Sequence, residues 1–148
     1  MKTFFKPCMF FLLLVSAYSI QAQKTDLRPR LFNGVENKIS YPKTELEKIF
    51  TQRQGGKYQV SLPGNFKFAG TIVSSVQRYD NLKSFLIKSE VLNGAIFAVS
   101  KRINDDGTIS FTGRIINDKY SDGYELNADA SGNYSLTKIN MNELLQDR

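Results

Sequence analysis

From Tyr58 onward the chain repeats one pattern, with apolar side chains at every second position broken at short intervals by glycine, asparagine and aspartate. A period of two puts alternate residues on opposite faces of an extended chain, so this stretch can bury one face only by building a sheet. Tyr58-Val60-Leu62 alternates with polar residues before Pro63-Gly64-Asn65 turns the chain. Phe66, Phe68, Gly70, Ile72, Ser74 and Val76 then share one face of a long strand. Leu82 to Val91 is denser, and Phe85, Leu86 and Ile87 predict burial on both faces or a bulge. Asn93-Gly94 is a strong hairpin dipeptide.

Ala95, Phe97, Val99 and Ile103 continue the alternation, with Lys101 interrupting its apolar side. Asn104-Asp105-Asp106-Gly107 makes the next turn, and Ile109, Phe111, Gly113 and Ile115 the next strand. Tyr124-Leu126 and Tyr134-Leu136 give two shorter strands, with Asp122-Gly123 and Ser131-Gly132-Asn133 separating them from their neighbours. About seven strands at roughly 8–12-residue spacing predict a mainly β protein, one antiparallel domain formed as a small curved sheet, barrel or sandwich.

One short helix precedes the strands. Pro42 at an early helical position, Thr44 followed by Glu47 in a T-x-x-E capping pattern, and acids in the first turn mark its start. Leu46, Ile49 and Phe50 form its apolar face, and Gly55-Gly56 ends it. A helix of about ten residues is too short to be stable alone, so it must lie on the sheet. Asn140 to Leu145 carries an Asn cap with Glu143 three residues on and predicts a C-terminal helical turn.

An internal echo supports a curved sheet. Phe66-Lys-Phe68-Ala-Gly70-Thr-Ile72-Val73-Ser74 matches Ile109-Ser-Phe111-Thr-Gly113-Arg-Ile115-Ile116-Asn117, both reading apolar-x-Phe-x-Gly-x-Ile-apolar-polar. Glycine inside a strand costs stability, so its placement at matching positions points to a shared backbone need. A sharp bend or bulge is the reading preferred over a close approach by a ligand.

The beginning of the chain reads as an export signal. Lys2 and Lys6 form a positive start, Met9 to Ile20 an apolar run, and Gln21-Ala22-Gln23 a small-residue end. Cleavage after Ala22 removes Cys8, the single cysteine of the 148 residues, from a chain that also has no His and no Trp. That leaves a mature chain with 18 basic and 14 acidic residues and no disulfide, stabilised by packing alone. Residues 1–22 are thus read as a removed signal, 23–40 as a flexible basic leader and 41–148 as the β domain. Lys24, Arg28 and Arg30 in the leader are candidate contacts to an anionic surface, or simply solvated charges. Removal of Gln23 to Arg30 is expected to leave folding intact.

Catalytic constellations are thin. Asn104-Asp105-Asp106-Gly107 lacks the spacing of a calcium loop and reads as a turn. Asp118, Asp122 and Glu125 surround a second loop, where a cation site is conceivable but Tyr120 occupies a ligand position. Ser74-Ser75 has no glycine elbow and no S-x-x-K beside it. Tyr120, Tyr124 and Tyr134, with Arg114 and Lys119, form a candidate interaction surface, because Tyr and Arg combine contact area with directed polar ends. The alternative is that these tyrosines fill the rim of the core. The leading functional reading is a non-enzymatic binding or interaction module, secreted or periplasmic, with no cofactor, no nucleic-acid partner and no permanent membrane span. The alternatives are a carrier with an apolar cavity lined by Phe68, Phe97 and Phe111, and a hydrolase using carboxylates or Ser/Lys.

Overall fold

The computed structural model describes residues 28–143, so the signal segment, Lys24 and the C-terminal helical turn beyond Glu143 lie outside the described residues. Eight strands and one helix follow in the order β1 (Lys38–Tyr41), α1 (Lys43–Phe50), β2 (Lys57–Leu62), β3 (Phe66–Tyr79), β4 (Leu82–Ser89), β5 (Ile96–Ile103), β6 (Ile109–Ile116), β7 (Asp122–Ala128) and β8 (Tyr134–Asn140). All pair antiparallel in one sheet of order β1-β8-β7-β6-β5-β4-β3-β2, curled into a half-barrel. The seven strands read from the sequence are all present. The eighth, β1, falls in the stretch read as leader.

Curling brings the two sheet edges together. The Tyr41 hydroxyl of β1 lies 2.7 Å from that of Tyr58 on β2, and Tyr58 donates to the Glu45 carbonyl of α1 at 3.3 Å. The glycine echo supplies the bend. A Cβ on Gly70 would stand 2.3 Å from the Lys88 carbonyl oxygen of β4, and one on Gly113 2.6 Å from that of Ala98 on β5. Both glycines exist for close approach of a neighbouring strand, as the bend reading expects. Gly123 does the same against Ile115 at 2.7 Å, so Asp122-Gly123 opens β7 and is not the separator expected. At Asn93-Gly94 both residues take positive φ, and Ala95 N–H donates to the Leu92 carbonyl, as the primed hairpin turn requires.

The concave face is the core. Phe68, Ile72, Phe85, Ile87, Phe97, Val99, Phe111, Ile115 and Leu136 point into it from five strands. Helix α1 fills the curl with Leu46 and Ile49, and Phe50 stands edge-on to Phe85 at 5.0 Å and beside Phe111 at 5.5 Å. Its apolar triplet is the one expected, but the capping pattern is not used. Pro42 is the N-cap, Thr44 already lies inside the helix, and no side chain caps it. Between Phe85 and Ile87, Leu86 faces the convex side. The bulges lie on the partner strand, where the β3–β4 register shifts between Ile72 and Ser74 and again between Gln77 and Tyr79, so Ser74 and Val76 leave the face that Ile72 shares with Phe68.

The flexible leader is corrected over its described part, residues 28–40. Phe32 is buried between the rings of Phe66 and Tyr124, at 6.0 and 4.8 Å. The Asp122 carboxylate accepts the backbone N–H groups of Leu31 and Phe32, at 2.6 and 3.1 Å. Lys138 donates to the carbonyls of Phe32 and Val35, and the Tyr124 hydroxyl to that of Glu36 at 2.5 Å. The segment is a strap sealing one end of the half-barrel, because a buried aromatic and satisfied backbone groups outweigh the entropy of a free arm.

Burial makes the tyrosine hydroxyls poor acids. It pushes Tyr58 and Tyr124 up to about 12 and Tyr41 well above its ordinary range. Unfolded tyrosine ionises near 10, so the folded state holds extra protons above that pH. Their stabilisation is complete below about pH 10 and is lost as pH rises toward 12. Melting temperature should therefore stay flat up to about pH 10 and fall steeply beyond it, with a shallower fall in Tyr58→Phe. Equal slopes in the two proteins would show that the hydroxyl bridge does not join the sheet edges.

Candidate functional site

The residues singled out in the sequence do not converge. Tyr124 is fully buried, its ring against Phe32 and Phe66. Tyr134 is buried beside Phe111, and its hydroxyl accepts the Phe111 N–H at 3.1 Å. Both belong to the core, so an interaction face built on Tyr124 and Tyr134 is corrected. Their alternation with polar neighbours places them on the concave side. Tyr120 is half-buried and its hydroxyl accepts from Asn93 at 2.7 Å. Arg114 sits on the convex face, bonded twice to Glu125, and Lys119 is exposed in the β6–β7 loop.

Asp118, Asp122 and Glu125 likewise point apart. Asp122 is buried and latched to the strap, Glu125 is paired with Arg114, and Asp118 is exposed with its carbonyl accepting from Arg28 at 3.0 Å. Among the described residues no group of three acidic or sulfur- or imidazole-bearing side chains is placed to hold a metal ion. In the β5–β6 turn, Asp106 accepts from both the N–H and the hydroxyl of Thr108, which hold its carboxyl below the usual range, and Gly107 takes φ of 80°. That is the turn the sequence predicts.

Arg28 bonds to Asp118 and to the Asn142 side chain, and with Arg30 it lines an open groove of about 620 Å³ beside Ser121, Lys138 and Glu143. Phe68, Phe97 and Phe111, named as the lining of a carrier's cavity, are fully buried. Phe68 stands edge-on to Phe97 at 5.6 Å, and Phe50 of α1 covers Phe111. The helix occupies the place where an apolar cargo would sit.

What stands open is an edge of the sheet. Strand β3 has 14 residues and β2 only six, so β2 pairs with Phe66–Thr71 and no further. Gly55 N–H and Gly56 carbonyl close the ladder at Ile72. From Val73 to Tyr79 β3 keeps β4 on one side and has no strand on the other among the described residues. Between two register shifts, at Ser74–Gln77, alternate backbone N–H and C=O groups therefore point away from β4 into solvent, while the Tyr79 carbonyl beyond them accepts from the Gln77 side chain at 2.5 Å. Its side chains are also unusual for a free surface. Val73, Val76 and Tyr79 are 43, 44 and 70% exposed, and Leu86 beside them on β4 39%.

No family model, curated protein or solved structure matches this chain.

Electrostatics mark the same end of the molecule. On the convex face Lys57 is paired with Glu90 and Arg114 with Glu125, while Lys67, Lys88 and Arg102 have no ion pair among the described residues. On the concave face Lys83 and Lys101 are register partners on β4 and β5. Both are half-buried and neither has an ion pair among the described residues. Lys83 leans over the Phe85 ring at 5.0 Å. Phe50, at the end of α1, stands edge-on to the same Phe85 ring at 5.0 Å. Like charges directly opposed in a sheet still cost up to about 1 kcal/mol.

The overhang was legible as a length mismatch, since a strand read from Phe66 to Val76 follows one read from Tyr58 to Leu62. Lys101 was legible as a break in its apolar face. Register, which alone shows that it meets Lys83, was not.

Proposed function

We propose that this protein is an exported, non-enzymatic interaction module of the cell envelope or extracellular space, and that it binds by accepting a strand along the open edge of β3. The supporting observation is the Val73–Tyr79 overhang, where unpaired backbone groups run beside exposed Val73, Val76 and Tyr79. Natural sheets blunt free edges with short strands, inward charges, bulges or covering loops. The other edge follows that rule, since β1 has four residues and meets β2 through the tyrosine bridge. The β3 edge is bulged at Val73 and Arg78, yet Val73, Val76 and Tyr79 stay exposed along it, and strand addition would satisfy both the free backbone groups and the apolar surface.

Export is a second part of the proposal, carried by the basic start, the apolar Met9–Ile20 run and the small-residue end at Ala22. Mass spectrometry of the protein from its native host should find Gln23 at the N-terminus. For the edge, a photoreactive benzoylphenylalanine at Val76 should cross-link one defined envelope component in living cells, whereas the same group at exposed Ser61 on β2 should not. Equal yields from both positions, or none at Val76, would refute the edge as the binding surface.

A further inference from the structure

Resting on the edge reading above, we infer that the occupant is an extended peptide of alternating apolar and acidic residues, its carboxylates turned to the concave side toward Lys83 and Lys101. Geometry fixes the alternation. A strand laid along Val73–Tyr79 continues the line of β2, antiparallel to β3. Side chains on its convex face fall beside Val76 and, one strand further, Ser84, with Leu86 one rung away. Those on its concave face fall beside Ser75 and Gln77, which pair with Phe85 and Lys83.

Reach and charge select the carboxylate. Strands lie about 4.8 Å apart, so Lys83 is two strands, roughly 10 Å, from the added backbone. A lysine and a glutamate extended toward one another span that gap, and the inward curl shortens the path to Lys101 one strand beyond. The carboxylates of this end do not meet the need. Asp80, Asp105 and Asp106 sit in hairpin turns, and Asp106 is bonded to Thr108. A second copy of this chain fits less well. Antiparallel pairing of two β3 edges would bring two sets of Arg78, Lys83 and Lys101 to one seam against two of Asp80, an excess of positive charge.

The test uses the chain from Gln23 to Arg148 and three labelled eight-residue peptides, alternating Val-Glu, Val-Ser and Val-Lys. Fluorescence anisotropy should show binding of Val-Glu, weaker binding of Val-Ser and none of Val-Lys. Lys83→Gln and Lys101→Gln should each weaken Val-Glu by about tenfold at low salt while leaving Val-Ser unchanged. Their melting temperatures should equal or exceed the parent's, because an opposed pair of like charges is relieved. Hydrogen exchange should show new protection at amides within Val73–Tyr79, and a Val-Glu peptide N-methylated at alternate residues should not bind.

Equal affinity for Val-Glu and Val-Lys, or no effect of either lysine variant, would overturn the acidic partner. Protection of the Val73–Tyr79 amides by Val-Ser in that case would leave the edge reading standing. Binding of Val-Glu with protection confined elsewhere would sink both. A dimer in equilibrium sedimentation that is broken by Val76→Lys would make a second copy the occupant and overturn the peptide.

Discussion

Gly70→Val should cost at least about 4 kcal/mol and leave little folded protein at physiological temperature. The β-carbon it adds would stand 2.3 Å from the Lys88 carbonyl oxygen and 2.9 Å from its carbon. Those atoms belong to β4's backbone, so no rotamer change relieves the clash. Either β4 moves away, and the ladder around Gly70–Ser89 opens, or β3 straightens and the sheet uncurls. Straightening would withdraw Phe68 and Ile72 from the helix and from β5, which is why the cost exceeds that of an ordinary overpacked site. Gly113→Ala should follow the same course more mildly, with Ala98 backbone at 2.6 Å and an atom of the Phe97 ring at 3.0 Å. Gly34→Ala isolates the effect of conformation. Its φ is 73° but nothing lies within 4 Å, so it should lose only about 1 kcal/mol. Urea midpoints separate these cases. A Gly70→Val protein within about 1 kcal/mol of the parent would mean that β3 does not press on β4 and the sheet is flatter than described.

The same glycines show what a sequence of this kind discloses. Alternation with Gly, Asn and Asp breaks located seven strands, and the matched Gly70 and Gly113 located the curl, because both signals are local and periodic. Strand β1 was hidden for a physical reason. It has four residues, only Ile39 and Tyr41 face inward, and its sole strand partner is β8, almost a hundred residues away. Its pattern is too short to register without that partner. The candidate tyrosines failed for a related reason. A tyrosine at the rim of a sheet and one at the base of a half-barrel have identical local sequence, and only closure decides which is buried. Tyr124 reached the core because the strap lies over it and the Glu36 carbonyl receives its hydroxyl. Asp122, read in the sequence as a loop carboxylate, and Lys138, which no motif singles out, are the latch that holds the strap. The chemistry of a backbone-capping carboxylate needs no motif, so nothing in the sequence marks it.

Phe32→Ala should lower stability by about 3–5 kcal/mol, as loss of a fully buried aromatic does. The value decides whether the segment before β1 is part of the fold. Phe32 is 1% exposed and its ring meets Phe66 and Tyr124, so truncation leaves a void against two aromatics at the end of the half-barrel. Asp122→Ala attacks the same segment from the other side. It strips the acceptor from the Leu31 and Phe32 N–H groups and should cost about 2–3 kcal/mol, since hydrogen bonds to a charged group are the stronger kind and the orphaned donors are partly buried. Because both changes release one strap, the double variant should cost less than the sum of the two, a coupling that independent sites would not show. Removing the chain through Arg30 takes only part of the anchorage, the Arg28 bonds and the Pro29 carbonyl that Ser121 N–H meets at 2.9 Å, and should lower the melting temperature by less than Phe32→Ala does. Native-state hydrogen exchange offers the sharpest discrimination. In the parent, the Phe32 amide should exchange about as slowly as those of β7. Exchange at the rate of a free peptide, together with a Phe32→Ala loss below about 1 kcal/mol, would return the segment to a solvated arm and leave the Tyr124 end of the half-barrel uncovered.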